Sequence, residues 1–93
     1  MSVKYPTEET LKQIEEMDCK DFHAFMDFIH NEWEFADWGW KRDGDVYYIS
    51  TGGWSGNEDL IQSMRKNFMF WMLFWQQSRR GGHYIFCPIT TDV

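Results

Sequence analysis

Cysteine and proline are both scarce in this chain. Two residues of each type occur among 93. Cys19 and Cys87 are too few for a disulfide framework and lack the spacing of a metal site, so we interpret both as free thiols. No apolar run approaches the roughly 18 residues that a membrane span needs, and no signal peptide precedes the first acidic segment. The sequence therefore predicts a cytoplasmic protein.

Basic charge is also in short supply, and it is unevenly placed. The net charge is −6. Residues 1–45 carry 12 acidic and 5 basic side chains, whereas residues 46–93 carry 3 and 4. General nucleic-acid binding needs a basic surface that releases counterions, so this balance argues against it. Two interpretations of the acidic half stay open, a solvated surface or a face that meets a basic protein.

Aromatic residues, in contrast, are abundant. They make up 19% of the chain, with six Trp and eight Phe. A chain of this length forms one domain, residues 1–93, with a single modest core. Such a core cannot hold all of these rings, so we expect some to be exposed or paired across subunits.

The N-terminal half predicts two helices and a hairpin. Thr7 can cap a helix over residues 7–17, and Asp18 or Asp21 can cap a second helix that ends near Asn31. Apolar residues then alternate on either side of Asp43-Gly44, which is a strong hairpin signal. We place these strands at residues 34–41 and 45–51.

The C-terminal half predicts one long helix and a last strand. Ser55 and Glu58 fit a capping box, so the helix should run from Gly56 to Ser78 and end at Gly81-Gly82. A strand over residues 83–89 follows. The predicted fold is α+β, in the order α-α-β-β-α-β, with a small sheet packed on helices.

Within this helix, residues 68–75 (Phe-Met-Phe-Trp-Met-Leu-Phe-Trp) are apolar on every side. A helix on a small sheet needs only one apolar stripe. Either the first two helices cover the other side, or a second copy of the chain does. Because large apolar groups are costly to leave in water, we predict a homo-oligomer, a dimer through this segment.

The glycine-rich junction between the second strand and this helix is the leading candidate site. Backbone amides at a helix start can hold an anion, and a Trp in the loop can stack on a base or sugar. The alternative is that the glycines only turn the chain and Ser55 with Glu58 caps the helix. The segment is neither a P-loop nor a nucleophile elbow. The candidate ligand-binding residues here are Thr51, Gly52, Gly53, Trp54, Ser55, Gly56 and Asn57.

A second candidate element is Arg79-Arg80-Gly-Gly-His83. Adjacent guanidinium groups can bind a phosphate or carboxylate. Alternatively, they only complement the dipole at the end of the long helix. A 23-residue helix would separate these residues from the glycine loop by about 30 Å. The two elements could then form one site only if it were shared between subunits.

Metal binding and catalysis have little support in the sequence. His23 and His30 lie seven residues apart with Glu34 beyond, but no third ligand is in register, so we expect no metal site. No Ser-His-Asp or Cys-His pairing can be inferred. We therefore predict no catalytic residues and no cofactor, and we favour a protein that is not an enzyme.

Residues 38–86 resemble a group of small uncharacterised proteins encoded in bacteriophage genomes. The likeness is carried by Ile-Ser-Thr-Gly-Gly-Trp-Ser-Gly-Asn-Glu at 49–58, by the apolar helix at 70–75, and by Ser-Arg-Arg-Gly-Gly-His-Tyr at 78–84. It implies an accessory protein in the host cytoplasm, and it carries over no site residues.

Three functions remain open. The leading one is a non-enzymatic accessory protein that binds a small polar or anionic ligand, such as a nucleotide. The alternative is an acidic inhibitor of a host nuclease or other defence protein. A hydrolase whose nucleophile cannot be named is the third.

Overall fold

The structure, a computed structural model, describes residues 5–88 and has an α+β fold. Within that range, five helices pack against a four-stranded antiparallel sheet. The elements in chain order are α1 Glu8–Glu16, α2 Phe22–Glu32, α3 Ala36–Gly39, β1 Trp40–Asp43, β2 Val46–Ser50, α4 Ser55–Lys66, α5 Phe68–Phe74, β3 Trp75–Arg79 and β4 His83–Phe86.

The sheet has the strand order β1-β2-β4-β3, and its two faces differ. Side chains alternate between the faces of a strand, and directly paired residues share a face. Tyr47, Ile49 and Phe86 are at most 1% exposed, so their face packs on the helices. Tyr48, between two of them, is 43% exposed. We call the side that carries Tyr48 the open face.

The core between the helices and the sheet is largely aromatic. The rings of Phe25 and Phe70 stack with centroids 4.0 Å apart, and those of Phe22 and Phe74 stack at 4.5 Å. Such pairs contribute about 0.5–1.5 kcal/mol each beyond the burial of their area. These contacts join α2 to α5.

The prediction of one helix from Gly56 to Ser78 is wrong. Asn67 separates α4 from α5, and residues 75–79 form β3. Only one side of the short helix α5 is buried, and it places Phe70 and Phe74 in the core. Gly81-Gly82 accordingly form the turn of the β3–β4 hairpin instead of ending a helix.

Smaller corrections concern the two strand-helix boundaries. The first strand begins at Trp40 and not at residue 34, because Phe35 takes a left-handed conformation with φ of 62° and α3 follows it. The capping box does not form. Helix α4 begins at Ser55 itself, and Trp54 at the N-cap makes no side-chain capping bond.

The other predicted elements are confirmed with small shifts in their ends. Thr7 caps α1 and Asp21 caps α2, each by accepting a bond from a backbone amide of the first turn. Gly44, with φ of 62°, lies in the β1–β2 turn. The last strand covers His83–Phe86, whereas Ile89 of the predicted strand lies outside the described residues.

Two buried asparagines brace the ends of α4. The Asn67 amide nitrogen donates to the carbonyl oxygens of Ile14 and Met17, both at 2.9 Å, and its oxygen accepts from the Phe70 amide. The Asn57 amide forms a reciprocal pair with the backbone of Glu34, at 2.9 and 2.8 Å. Each side chain thus holds a distant loop through backbone groups.

Replacing Asn67 by Ala should lower the free energy of unfolding by about 2–4 kcal/mol, because the α5 cap is lost and two buried carbonyls lose their donor. Urea unfolding measures the change. Gln62→Ala, an exposed substitution on α4, is the matched control and should change it by less than about 0.5 kcal/mol. Equal effects of the two substitutions would contradict the bracing role.

A buried tyrosine ties α2 to the hairpin. The Tyr47 hydroxyl lies 2.7 Å from Nδ1 of His23, and Nε2 of His23 lies 2.8 Å from the Asp45 carboxylate. Burial raises the pKa of Tyr47 above its ordinary value of 10.0, although the nearby Arg42 guanidinium acts in the opposite direction. The folded state therefore holds this phenolic proton more tightly than the unfolded state does.

The protein should lose stability as the pH rises above about 10, because the contribution of Tyr47 is complete below its ordinary pKa and is lost through its raised folded-state value. Urea unfolding at pH 8 and pH 11 measures the loss. Tyr47→Phe removes this titration, so the free energy of unfolding of this variant should fall less between pH 8 and pH 11. A decline as large as that of the unsubstituted protein would rule out Tyr47 as a source.

Candidate functional site

The two candidate elements predicted from the sequence meet within one chain. The Thr51 amide donates to the Gly82 carbonyl at 3.0 Å, and the Ser50 hydroxyl lies 2.5 Å from Nδ1 of His83. The expected separation of about 30 Å is therefore wrong, and with it the argument that a common site requires two subunits. Because the helix ends at Phe74, β3 and β4 can return the chain to the end of β2.

Glycine makes this close approach feasible. Gly82 has φ of +79°, and a Cβ atom there would overlap the Thr51 hydroxyl. In the turn after β2, Gly52 has φ of +64°, and a Cβ atom there would lie 2.6 Å from the Trp38 ring. The Trp54 amide donates to the Thr51 carbonyl at 3.0 Å and closes the turn that contains Gly52. Both turns therefore need the shape and the conformational freedom of glycine.

Three polar side chains form a row on the open face. His83 pairs with Ser50 on β2 and with Arg79 on β3, so the three lie side by side across the sheet. A shallow depression of about 280 Å³ covers this row and is lined by Tyr48, Ile49, Ser50, Arg79, His83 and Ile85. We call Ser50, His83 and Arg79 the polar row.

The electrostatic character of the polar row suits an anion. No carboxylate lines the depression, and within residues 5–88 Arg79 forms no ion pair. Its Nε donates to the amide oxygen of Gln77 at 3.2 Å, a contact that orients the guanidinium group along β3. Because the Ser50 hydroxyl and Nδ1 of His83 bond to each other, an oxyanion can accept from the guanidinium group and from the one donor that this pair leaves free.

Of the predicted ligand-binding residues, Arg79 and His83 lie in the polar row. Thr51, Gly52 and Gly53 form the adjoining turn, where Thr51 is 1% exposed and its hydroxyl bonds to the Glu58 carboxylate at 3.4 Å. The turn therefore contributes backbone next to the row, and its one hydroxyl is already engaged.

The remaining predicted residues lie away from the polar row. The Trp54 ring packs 4.9 Å from the Tyr5 ring, and Asn57 is 1% exposed with its amide engaged by backbone groups. Gly56 is buried in the first turn of α4, and Ser55 is exposed at its start. Arg80 is exposed in the hairpin turn. The structure does not bring these five residues together around the depression.

Sequence reasoning missed Ser50 and Tyr48. Both lie in the predicted second strand, where alternation would have placed them on one face opposite Tyr47 and Ile49. The missing information was the pairing of β2 with β4, which joins Ser50 to a residue 33 positions away. No local pattern encodes that pairing.

Comparison with protein-family models, with curated proteins and with solved structures found no match to this chain. Among the described residues, no group of three His, Cys, Asp or Glu side chains could hold a metal ion. None of the described helices is long and apolar enough to cross a membrane.

Gly82→Ala should destabilise the protein more than Gly44→Ala does. Both positions have positive φ, at +79° and +62°, so both substitutions carry a backbone cost of about 1–2 kcal/mol. Only at Gly82 does the new methyl group also meet the Thr51 hydroxyl, whereas nothing lies within 4 Å at Gly44. Urea unfolding of the two variants measures the difference. Equal losses of stability in the two variants would show that the turn at Gly82 does not contact Thr51.

Proposed function

We propose that this protein binds a small anionic ligand, bearing a phosphate or carboxylate group, at the polar row on the open face of the sheet. The observation that carries the proposal is the convergence of Ser50, His83 and Arg79 on one depression without a carboxylate. From the resemblance of residues 38–86 to bacteriophage-encoded proteins, we further propose that it is a non-enzymatic accessory protein of the host cytoplasm.

Neighbouring residues on the open face support the same ligand class. Lys41 on β1 pairs with Tyr48 and lies on the same face, at the opposite edge of the sheet from Arg79. The Tyr48 ring is 43% exposed and belongs to the lining of the depression. An exposed ring beside an anion site can stack on a base, which extends the proposal to a nucleotide.

Binding fits this geometry better than hydrolysis does. A serine hydrogen-bonded to a histidine is the start of a nucleophile-base pair. In catalytic triads a third group orients the base. Among the described residues, no carboxylate is hydrogen-bonded to His83, whose ring lies against Gly81. We therefore assign the Ser50–His83 contact to ligand binding.

Arg79→Gln should weaken the binding of inorganic phosphate and of adenosine monophosphate about 10- to 100-fold, because charge-assisted hydrogen bonds contribute about 1.5–3 kcal/mol. Isothermal titration calorimetry at constant ionic strength measures the change.

Arg80→Gln is the matched control, because it removes the same charge from the adjacent exposed turn residue. It should weaken binding less than about twofold. Equal losses of affinity in both variants would show that only the overall charge of the protein matters, and not the position of Arg79. The absence of binding by the unsubstituted protein at millimolar ligand would overturn the proposal.

The second candidate function is the acidic inhibitor. Its support is α1, which exposes Glu8, Glu9 and Glu16 and is flanked by a groove of about 360 Å³ lined by Glu8, Glu9, Leu11, Lys12 and Glu15. An array of carboxylates on one helix can complement a basic protein surface.

The two functions respond to different substitutions. Replacing Glu8, Glu9 and Glu16 by Lys should abolish inhibition of a basic host nuclease in a cleavage assay, and it should leave phosphate binding at Arg79 intact. Arg79→Gln should weaken phosphate binding and leave inhibition of the nuclease intact. If the triple variant keeps its fold but loses phosphate binding, the phosphate does not bind at the polar row.

A further inference from the structure

The two edges of the sheet differ in how they resist pairing with another strand. The edge strand β1 carries Lys41, Arg42 and Asp43 in succession, and charged side chains on an edge oppose edge-to-edge association. The edge strand β3 reads Trp-Gln-Gln-Ser-Arg, with one charge at its end, and all five residues are exposed. Among the described residues, only β4 pairs with β3. This edge lacks the protection that β1 has.

An apolar helix face leads directly into this edge. On α5, Phe68, Met69, Met72 and Leu73 are 72, 61, 58 and 43% exposed, and they occupy one continuous side of the helix. Together with Trp75, the first residue of β3, they expose on the order of 600 Å², which matches the largest apolar patches found on monomeric proteins. A specific interface buries about 800 Å² per partner, so the patch and the strand edge together suffice for one.

The charge of this surface favours a second copy of the same chain as its occupant. Residues 67–78 contain no charged side chain, although the protein carries a net charge of −6. Two identical acidic proteins repel each other over most of their surfaces. Through residues 67–78 they can meet without placing carboxylates in contact.

We propose that two copies of this chain pair β3 with β3 in antiparallel fashion about a two-fold axis, with the exposed faces of α5 packed beside the strands. The two four-stranded sheets then form one continuous eight-stranded sheet. This assembly goes beyond the proposed ligand binding and does not depend on it.

The pattern of side chains on β3 selects one register. A bulge interrupts the strand between Trp75 and Gln77, so the regular part is Gln77–Arg79. Directly opposed residues must share a face, so the two-fold axis must pass through a residue and not between two residues. The candidates in the regular part are Gln77, Ser78 and Arg79. An axis at Arg79 would oppose two like charges, and an axis at Gln77 would bring the bulge residue Gln76 into the ladder.

With the axis at Ser78, all three regular residues pair. Each Arg79 then lies opposite the partner subunit's Gln77, on the open face. The amide oxygen of that glutamine can accept a hydrogen bond from the guanidinium group, as Gln77 does within its own chain. The interface thus adds a polar group next to the polar row of each copy.

Size-exclusion chromatography with light scattering tests the assembly. The unsubstituted protein at about 20 µM should have twice the chain mass of 11.3 kDa. Met72→Glu and Gln77→Lys should each raise the dimer dissociation constant at least about tenfold, with unchanged circular dichroism. The controls Gln62→Glu and Gln62→Lys place the same charges on α4 and should leave the dimer intact. A monomeric unsubstituted protein would overturn the proposal.

A cysteine cross-link tests the register. In a Cys19→Ser, Cys87→Ser background, Ser78→Cys places two thiols opposite each other at a Cβ separation of about 4.5–5.5 Å, close enough for a disulfide with small adjustment. Mild oxidation should convert most of this variant to a covalent dimer. Gln62→Cys, treated identically, should not cross-link. A dimer by light scattering that fails to cross-link at residue 78 would refute strand pairing and leave helix contacts alone.

Discussion

The arrangement of this protein depends on the amide of Asn67. Its three hydrogen bonds reach the end of α1 and the start of α5, and they stop α4 where an uninterrupted helix would otherwise continue. The break directs Phe70 and Phe74 into the core and lets the chain leave the helix at Trp75. Without it, the C-terminal glycines would lie about 30 Å from the glycine loop and β4 could not reach β2. The four-stranded sheet and its polar row both require this break between α4 and α5.

Local sequence patterns predict correctly those caps and turns that depend only on neighbouring residues. The caps at Thr7 and Asp21 and the turn at Gly44 depend on residues within a few positions, and they form as predicted. Asn67 is different because an asparagine inside an apolar helical run has only a mildly unfavourable propensity. Its effect arises from the carbonyls of Ile14 and Met17, which are about 50 residues away. Periodicity contains no information about those partners.

The candidate site shows the same division between local and distant information. Glycines mark both turns in the sequence, because positive φ at Gly52 and Gly82 is a local requirement that residue type reveals. The polar row itself is assembled by the β2–β4 pairing, so no local pattern indicates Ser50, and Trp54 lies outside the row. Trp54 looked exposed in a glycine-rich loop, but the Tyr5 ring packs against it. Tertiary contacts decided which side chains of the loop face solvent.

An acidic protein can still present a local anion site because its charges are segregated by the sheet. Residues 8–34, which form α1, α2 and the adjoining loops, hold nine of the fifteen carboxylates, and both helices pack on the side opposite the open face. Opposed layers lie about 10 Å apart, comparable to the screening length at physiological salt, so the carboxylates of these helices act only weakly at Arg79. A small ligand experiences this local field. A long polyanion would extend beyond it toward the acidic surface, so the same segregation that admits a phosphate group disfavours nucleic acid.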